Sequence, residues 1–285
     1  MTIYNLGSIN ADYFYSVPHI PSAGETLTAT ELTSGLGGKG ANMSVAIARA
    51  GSDVVHIGAV GPDGDWAIDR LRDYGVDIGA VDSLATPTGH ARICVAADGE
   101  NSIILFSGAN HEIPESSIKK ALATASKSDW VLIQNETNNQ VTCAKLGSDM
   151  GLKVAYAAAP FSARAVMEIL PYVDFLILNE IEAEQLKQAT DLAPDQIDVA
   201  DVIVTLGSQG CDWFDNRTRT THHFPAQKVV PVDTTGAGDT FTGYVLAGLD
   251  QGSEMAQAIE LATKAAALMV QRQGTADVIP LKSEL

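Results

Sequence analysis

The stretch Asp233-Thr-Thr-Gly-Ala-Gly-Asp-Thr-Phe-Thr-Gly243 places three residues with almost no side-chain bulk, Gly236, Ala237 and Gly238, directly before an acid, Asp239. Residues this small let backbone N–H groups lie against a bound group. The run 228–232 before them is β-prone, and Phe241 to Leu249 after them has helical apolar spacing, so a strand-to-helix turn is expected here. The first N–H groups of a helix have no partner inside the helix, and its dipole adds positive potential. Such a turn can hold a group on which negative charge develops. A carboxylate beside an anion site is repulsive unless it orients a hydroxyl or takes its proton. The competing reading of Asp239 is a helix cap.

The elements that must position this turn follow from the rest of the chain. Residues 3–9 read as a first strand followed at once by Asn10 and Asp12. Ligands collect at the C-terminal edge of open α/β sheets, although both residues also suit a turn. Residues 12–17 and 27–36 read as two further strands before any helix, with Thr26, Thr28, Thr30 and Thr33 enriching the second. They suggest a small sheet projecting from the main body. Gly35-Leu-Gly-Gly-Lys-Gly-Ala-Asn42 follows, then a helix over 43–50. Gly35, Gly37 and Gly40 formally match the dinucleotide fingerprint, but no acid closes a strand about twenty residues on, as that fingerprint needs. A G-x-x-x-x-G-K-[S/T] phosphate loop also fails, because Gly40 stands where the hydroxyl belongs. What remains is a glycine turn with Lys39 and Asn42 as polar hands, suited to a sugar.

Strand 54–60 and a helix over 65–74 come next, then a hairpin of strands 88–96 and 101–107 across Ala97-Asp98-Gly99-Glu100. Ala91, Ile93 and Val95 alternate with His90, Arg92 and Cys94, giving the apolar and polar faces of a sheet that covers a site. From residue 115 helices (116–126, 140–150, 163–170) alternate with strands (130–134, 153–157, 174–178, 201–206), the pattern of a parallel sheet covered on both faces. Glu136, Asn179, Glu182 and Thr205 all fall at strand C-terminal ends. Singly each suits a cap or turn; together they mark one edge as a site. A last helix spans 254–272, and the loop 273–277 can fold back toward the glycine turn. The whole is an α/β chain of one domain, 1–285, with a mostly parallel sheet, helices on both faces and a small β-sheet lid.

Composition sets the outer limits. The 285 residues are 46% hydrophobic, enough for a large core, and 35 Asp and Glu against 18 Lys and Arg leave a net charge of −17. Nucleic acid and anionic membranes are poor partners for that surface. Three separated cysteines, Cys94, Cys143 and Cys211, read as free thiols of a reducing, cytoplasmic setting. No run approaches membrane-spanning length, and His222-His223 lacks the spaced partners of a metal site.

Taken together, these residues resemble the ribokinase family, the phosphofructokinase-B type of carbohydrate kinases, over essentially the whole chain. Gly37-Gly-Lys-Gly-Ala-Asn42 and Asp233 to Gly243 are similar to the family's two signatures. Asn179-Glu-Ile-Glu182 resembles its N-x-x-E motif, and Thr205-Leu-Gly-Ser-Gln-Gly210 its nucleotide turn. Gly7-Ser-Ile-Asn-Ala-Asp12 is most similar to the member that gives the family its name. The resemblance implies an ATP-dependent kinase of a primary hydroxyl, with D-ribose the leading acceptor. In it Asp239 acts on the acceptor hydroxyl, and the N–H groups from Gly236, Ala237 and Gly238 to Asp239 form an anion hole. Asn10, Asp12, Gly38, Lys39, Asn42 and Glu136 hold sugar hydroxyls beside Ile93. Asn179 and Glu182 work toward phosphate and Mg2+ through water. Thr205, Gly207, Ser208, Gly210 and Gly238 lie along the nucleotide. A monovalent cation, K+, is expected beside Asp233 and the carbonyls near Thr235 and Gly274, and a homodimer through the lid. Two departures concern the nucleotide side: the segment from Glu182 to Thr205 looks a helix short near 192–199, and the tail after Pro280 is brief.

Two other classes compete with that reading. A dinucleotide-dependent oxidoreductase would use Gly35 to Gly40 but leaves Asp233 to Gly243 unexplained. A sugar-binding regulator without catalysis would have no use for Asp239.

Overall fold

The computed structural model describes residues 1–285 in full. In chain order the regular elements are β1 (Thr2–Leu6), β2 (Asn10–Val17), β3 (Glu31–Gly37), α1 (Lys39–Arg49), β4 (Asp53–Val60), α2 (Asp65–Asp73), β5 (Asp77–Ser83), β6 (Gly89–Ala96) and β7 (Asn101–Phe106). There follow α3 (Glu115–Leu122), β8 (Trp130–Ile133), α4 (Gln140–Asp149), β9 (Lys153–Ala157), α5 (Ala163–Ile169), β10 (Phe175–Asn179) and α6 (Glu180–Thr190). The chain closes with β11 (Asp201–Thr205), β12 (Cys211–Asp215), β13 (Thr220–Phe224), α7 (Ala237–Asp250) and α8 (Met255–Met269).

A nine-stranded sheet runs in the order β13-β12-β11-β10-β9-β8-β1-β4-β5. The seven strands from β11 to β5 are mutually parallel, and β12 and β13 turn back as an antiparallel edge. Its central strands are apolar on both faces because helices cover both. Along β10, Phe175 and Ile177 enter the core beneath α1, α7 and α8, while Leu176 and Leu178 enter the core beneath α3 to α6. All the parallel strands therefore end at one edge, and that edge collects the polar residues.

A second sheet, β3-β2-β6-β7, stands over the edge. β2 pairs antiparallel with β3 and parallel with β6, and the β6–β7 hairpin closes it. In this register Asn10 lies opposite Gly37 and Gly89, Asp12 opposite Gly35 and Ala91, and Phe14 opposite Ile93. Asn10, Asp12 and Ile93 thus share one face of the lid.

Several elements differ from the sequence reading. The main-sheet pairing of β1 stops at Leu6, so Asn10 and Asp12 belong to the first lid strand rather than to the end of the central strand. β3 starts at Glu31, not 27, because β2 ends at Val17 and offers no partner for residues further back. α1 begins at Lys39 rather than 43, so Lys39 and Asn42 stand on its first turn. The run 228–232 is not a strand: Val230 and Val232 are 83% and 65% exposed, and Pro231 has no N–H to give a ladder. The N–H groups of Val232 and Asp233 instead donate to Val270 O past the end of α8. Three elements, β5, α6 and β12, were not expected at all. β5 carries Gly79 and two acids on the sheet's outer strand, and α6 is capped by the very Asn179 and Glu182 read as site residues. Between α6 and β11 only a single 3-10 turn, Pro194–Gln196, occupies the stretch near 192–199.

Candidate active site

Asp239 lies in the first turn of α7 and is only 6% exposed. Gly236 caps that helix with φ 76°, a left-handed conformation open to glycine, and the Cε of Met269 sits 2.9 Å from where a Cβ would be. The N–H groups of Gly236, Gly238 and Asp239 have no protein acceptor, whereas Ala237 N–H donates to Thr234 O at 3.3 Å. The turn therefore presents free donors at a helix N-terminus. Ala237 contributes less to them than the sequence suggested.

α1 packs along α7, which brings the first turns of the two helices together. Asn42 Nδ2 donates to Asp239 Oδ2 at 2.9 Å, and Lys39 Nζ lies 3.8 Å from Asp239 Oδ1. The Asp239 carboxylate holds the Lys39 ammonium above its ordinary range, with smaller help from Glu136 and Glu182. Asn42 Oδ1 is buried without a partner. A buried acceptor of this kind calls for a donor, and a ligand hydroxyl supplies one.

Glu136, just beyond β8, accepts from Ser8 Oγ at 2.5 Å and from the Lys39 N–H at 3.0 Å. Asp12 lies in the same negative group. Burial first, then the charges of Glu136 and Asp239, push its carboxyl up to about 7. A Cβ on Gly37 would fall 1.9 Å from Asp12 Oδ2, so the glycine makes room for the acid. Asn10 Oδ1 accepts from Asn110 Nδ2 at 2.8 Å, and Asn110 also brackets the backbone of Ile9. Ile93 is buried on the same lid face as Asp12. Gly38 precedes α1 with φ 92°, its would-be Cβ against Ser8 O at 2.9 Å. The structure thus gathers Asn10, Asp12, Lys39, Asn42, Glu136 and Asp239.

On the other side of the α7 N-terminus lies a cavity of about 500 Å³. Thr205, Gly207, Ser208 and Gly210 line one wall, Ala266, Ala267 and Val270 of the α8 region another, and Gly238 the end nearest Asp239. The small residues on α8 leave a flat apolar slot. The size falls in the range of small-ligand pockets.

Asn179 and Glu182 stand at the same sheet edge, but neither lines the cavity. Asn179 Oδ1 accepts from Glu182 N–H, and Glu182 Oε2 from Asn179 N–H, each at 2.8 Å. This is a capping box for α6. Burial raises the Glu182 carboxyl, partly offset by its own bond to Asn179 N–H and by Lys39. Asp233 ties two loops together, taking Thr235 N–H at 2.9 Å on one oxygen and Gly274 N–H at 3.2 Å on the other. The loop after α8 does fold back, and Thr275 Oγ1 donates to Leu36 O at 2.7 Å.

Nowhere do three or more His, Cys, Asp or Glu side chains converge as a protein-only metal cage. Sequence reasoning missed Ser8, Asn110, Lys228 and Thr263. Ser8 lies within the Gly7–Asp12 stretch already singled out, and Asn110 is where the chain returns from the lid. The cavity residues Lys228 and Thr263 carry no local signal, because only the packing of α8 brings them into the wall.

The family described as pfkB family carbohydrate kinase matches residues 2–282. The ribokinase of Haemophilus influenzae is 34% identical over 99% of this chain and 96% of its own length. Among solved structures, ribokinase from Thermotoga maritima superposes with a TM-score of 0.88 at 33% identity, covering 100% of this chain and 97% of that one. Arabidopsis thaliana ribokinase complexed with ribose and ATP gives 0.86 at 29% identity, over 99% and 96%.

Proposed function

We propose that this chain, which belongs to the pfkB family of carbohydrate kinases, passes the terminal phosphoryl group of ATP to the primary hydroxyl of D-ribose. As a family member it is a phosphotransferase with an alcohol group as acceptor, and a nicotinamide cofactor has no place in it. The observation that carries the reading is Asp239, set at the head of α7 between free backbone donors and the polar group of α1 and the lid.

ATP in the α8 cavity directs its terminal phosphate toward the N–H groups of Gly236, Gly238 and Asp239. Phosphoryl transfer proceeds through a loose transition state with charge on the phosphoryl oxygens, so positioning and electrostatic stabilisation dominate. Lys39, held beside Asp239, adds a positive charge to the same place. Asn10, Asp12, Asn42 and Glu136 fix the sugar hydroxyls, with Ile93 against the ring. Asp239 then orients the primary hydroxyl and takes its proton as the bond to phosphorus forms. A loose transition state asks little of that base before transfer. Glu182 would face Mg2+ bound with ATP, and the ion would supply charge neutralisation to the phosphates. Asp233 and the carbonyls near Thr235 and Gly274 would hold a monovalent cation, K+ by preference, whose charge would steady the loop leading to the anion hole.

The lid's outer strand β7 favours a homodimer. Ile103, Ile104, Leu105 and Phe106 are 53%, 69%, 62% and 46% exposed on an unpaired edge, and a second copy would cover them. Unpaired cysteines suit a cytoplasmic setting. The alternative acceptors are another small sugar or a nucleoside. A coupled assay of ADP release over pentoses, hexoses and nucleosides, with Mg2+ and K+, decides among them. Highest kcat/KM on D-ribose supports the reading, and a clear preference for a nucleoside overturns it.

A further inference from the structure

Beneath the sugar-facing half of the site lies a buried polar chain that the mechanism above does not use. It starts at His56 on β4, which is fully buried. Its Nε2 lies 3.1 Å from Gly7 O and its Nδ1 2.8 Å from Ser44 Oγ on α1. A carbonyl only accepts, so Nε2 carries the proton and Nδ1 accepts from the Ser44 hydroxyl. Ser44 Oγ in turn accepts from Asn5 Nδ2 at 2.8 Å. The second hydrogen of that amide goes to Gly40 O, also at 2.8 Å. Asn5 Oδ1 accepts from Gln134 Nε2 at 2.8 Å, one strand over on the β8 side. Every member is buried, and burial pushes the imidazole down to about 4, so the chain is neutral throughout the working range.

This chain grips one spot, the crossing of the β1 exit and the α1 entry. Gly7 and Gly40 touch there so closely that a Cβ on either would come within 2.4 Å of the other's Cα. The crossing is where the sugar side of the site is assembled. One residue beyond Gly7, Ser8 holds Glu136, while Lys39 and Asn42 flank Gly40 on the first turn of α1. A displaced crossing would move Lys39, Asn42 and Glu136 together. The nucleotide cavity is lined by none of the chain's members.

We infer that His56, Ser44 and Asn5 are positioning residues for the acceptor sugar: their hydrogen-bond chain sets the Gly7–Gly40 crossing and through it Lys39, Asn42 and Glu136. The inference rests on the sugar-kinase reading for its ligand, but its geometry can be tested without turnover. Each link is directional, so removing His56 leaves Gly7 O without its donor and the Ser44 hydroxyl proton without an acceptor, and removing the Ser44 hydroxyl leaves His56 Nδ1 and one Asn5 amide hydrogen unpaired inside the protein.

The test uses the full chain and two variants, His56→Leu and Ser44→Ala, with His56→Gln as the conservative control. D-ribose and ADP binding are measured separately by titration calorimetry. The expected result is sugar affinity at least tenfold weaker in His56→Leu and Ser44→Ala, ADP affinity within twofold of wild type, and most sugar affinity restored by His56→Gln. Equal losses for both ligands, or sugar affinity unchanged in a folded Ser44→Ala, overturns it. In the wild type, long-range proton–nitrogen NMR reads the His56 tautomer directly. The Nε2–H form is expected, and the Nδ1–H form contradicts the chain of donors whatever the acceptor proves to be.

Discussion

At the scale of single residues the account rests on which groups are charged and which are free to bond. Asp239 is expected to act on the acceptor hydroxyl, so Asp239→Asn should lose about 10²–10⁴-fold in kcat while sugar still binds. Steady-state kinetics beside a binding isotherm check this, and near-normal turnover removes the role. Asp12 gives a pH prediction. Its carboxyl holds a proton up to about 7, because of burial, Glu136 and Asp239. As a charged acceptor it binds hydroxyls best above that value, so KM for the sugar should fall as pH rises through 7 and level off beyond. Asp12→Asn should abolish that slope and weaken the sugar by about ten- to a hundredfold, the range for a lost hydrogen bond to a charged group. The stability effect has the opposite sense. An acid whose folded pKa is raised favours folding while protonated, and that contribution is lost as pH rises from its unfolded value of 3.8 to about 7. Asp12→Asn should therefore be more stable than wild type at pH 8, read by thermal melting. These residues were legible in the sequence because chemistry confines them to few types. Asn110 was not, since an asparagine bracketing Ile9 across the fold looks like any loop residue until the lid is in place.

At the scale of elements, two helix entries carry the site, and local rules found one better than the other. The α7 entry was placed correctly by its small residues, but the strand expected before it is absent. A run rich in valine reads as β even where Pro231 and the lack of a neighbouring strand forbid a ladder. The α1 entry was set four residues too late, because glycines at 37, 38 and 40 look like loop. Gly40 is in fact helical, and it is a glycine because the backbone of Gly7 and Ser8 passes against it. Gly40→Ala should then destabilise by about 1–3 kcal/mol, as overpacking does, and take sugar binding with it. Chemical denaturation and a sugar titration on the same sample test both. Asn179 and Glu182 show how one motif serves two scales. Their capping box begins α6, so Asn179→Ala should cost about 0.5–2 kcal/mol of stability by denaturant unfolding, apart from any effect on phosphate.

At the scale of the whole molecule, alternation of strands and helices made the parallel sheet legible, and early strands before any helix marked the lid. The hairpin was expected to join the two early strands, but the pattern could not give the order or sense of that pairing. Parallel contact between β2 and β6 joins segments separated by five helical or strand elements, and nothing local encodes it. The exposed apolar edge of β7 leads to a molecular prediction. The chain should sediment as a dimer at micromolar concentration, and Ile104→Lys should shift it to monomer, read by analytical ultracentrifugation. The central claim is transfer to the primary hydroxyl of ribose beneath that lid. The most direct measurement is phosphorus and carbon NMR of the product formed from ATP and D-ribose with Mg2+ and K+. The account predicts a single monoester on O5, with ADP in equal amount; phosphate on another oxygen, or no sugar ester at all, would contradict it.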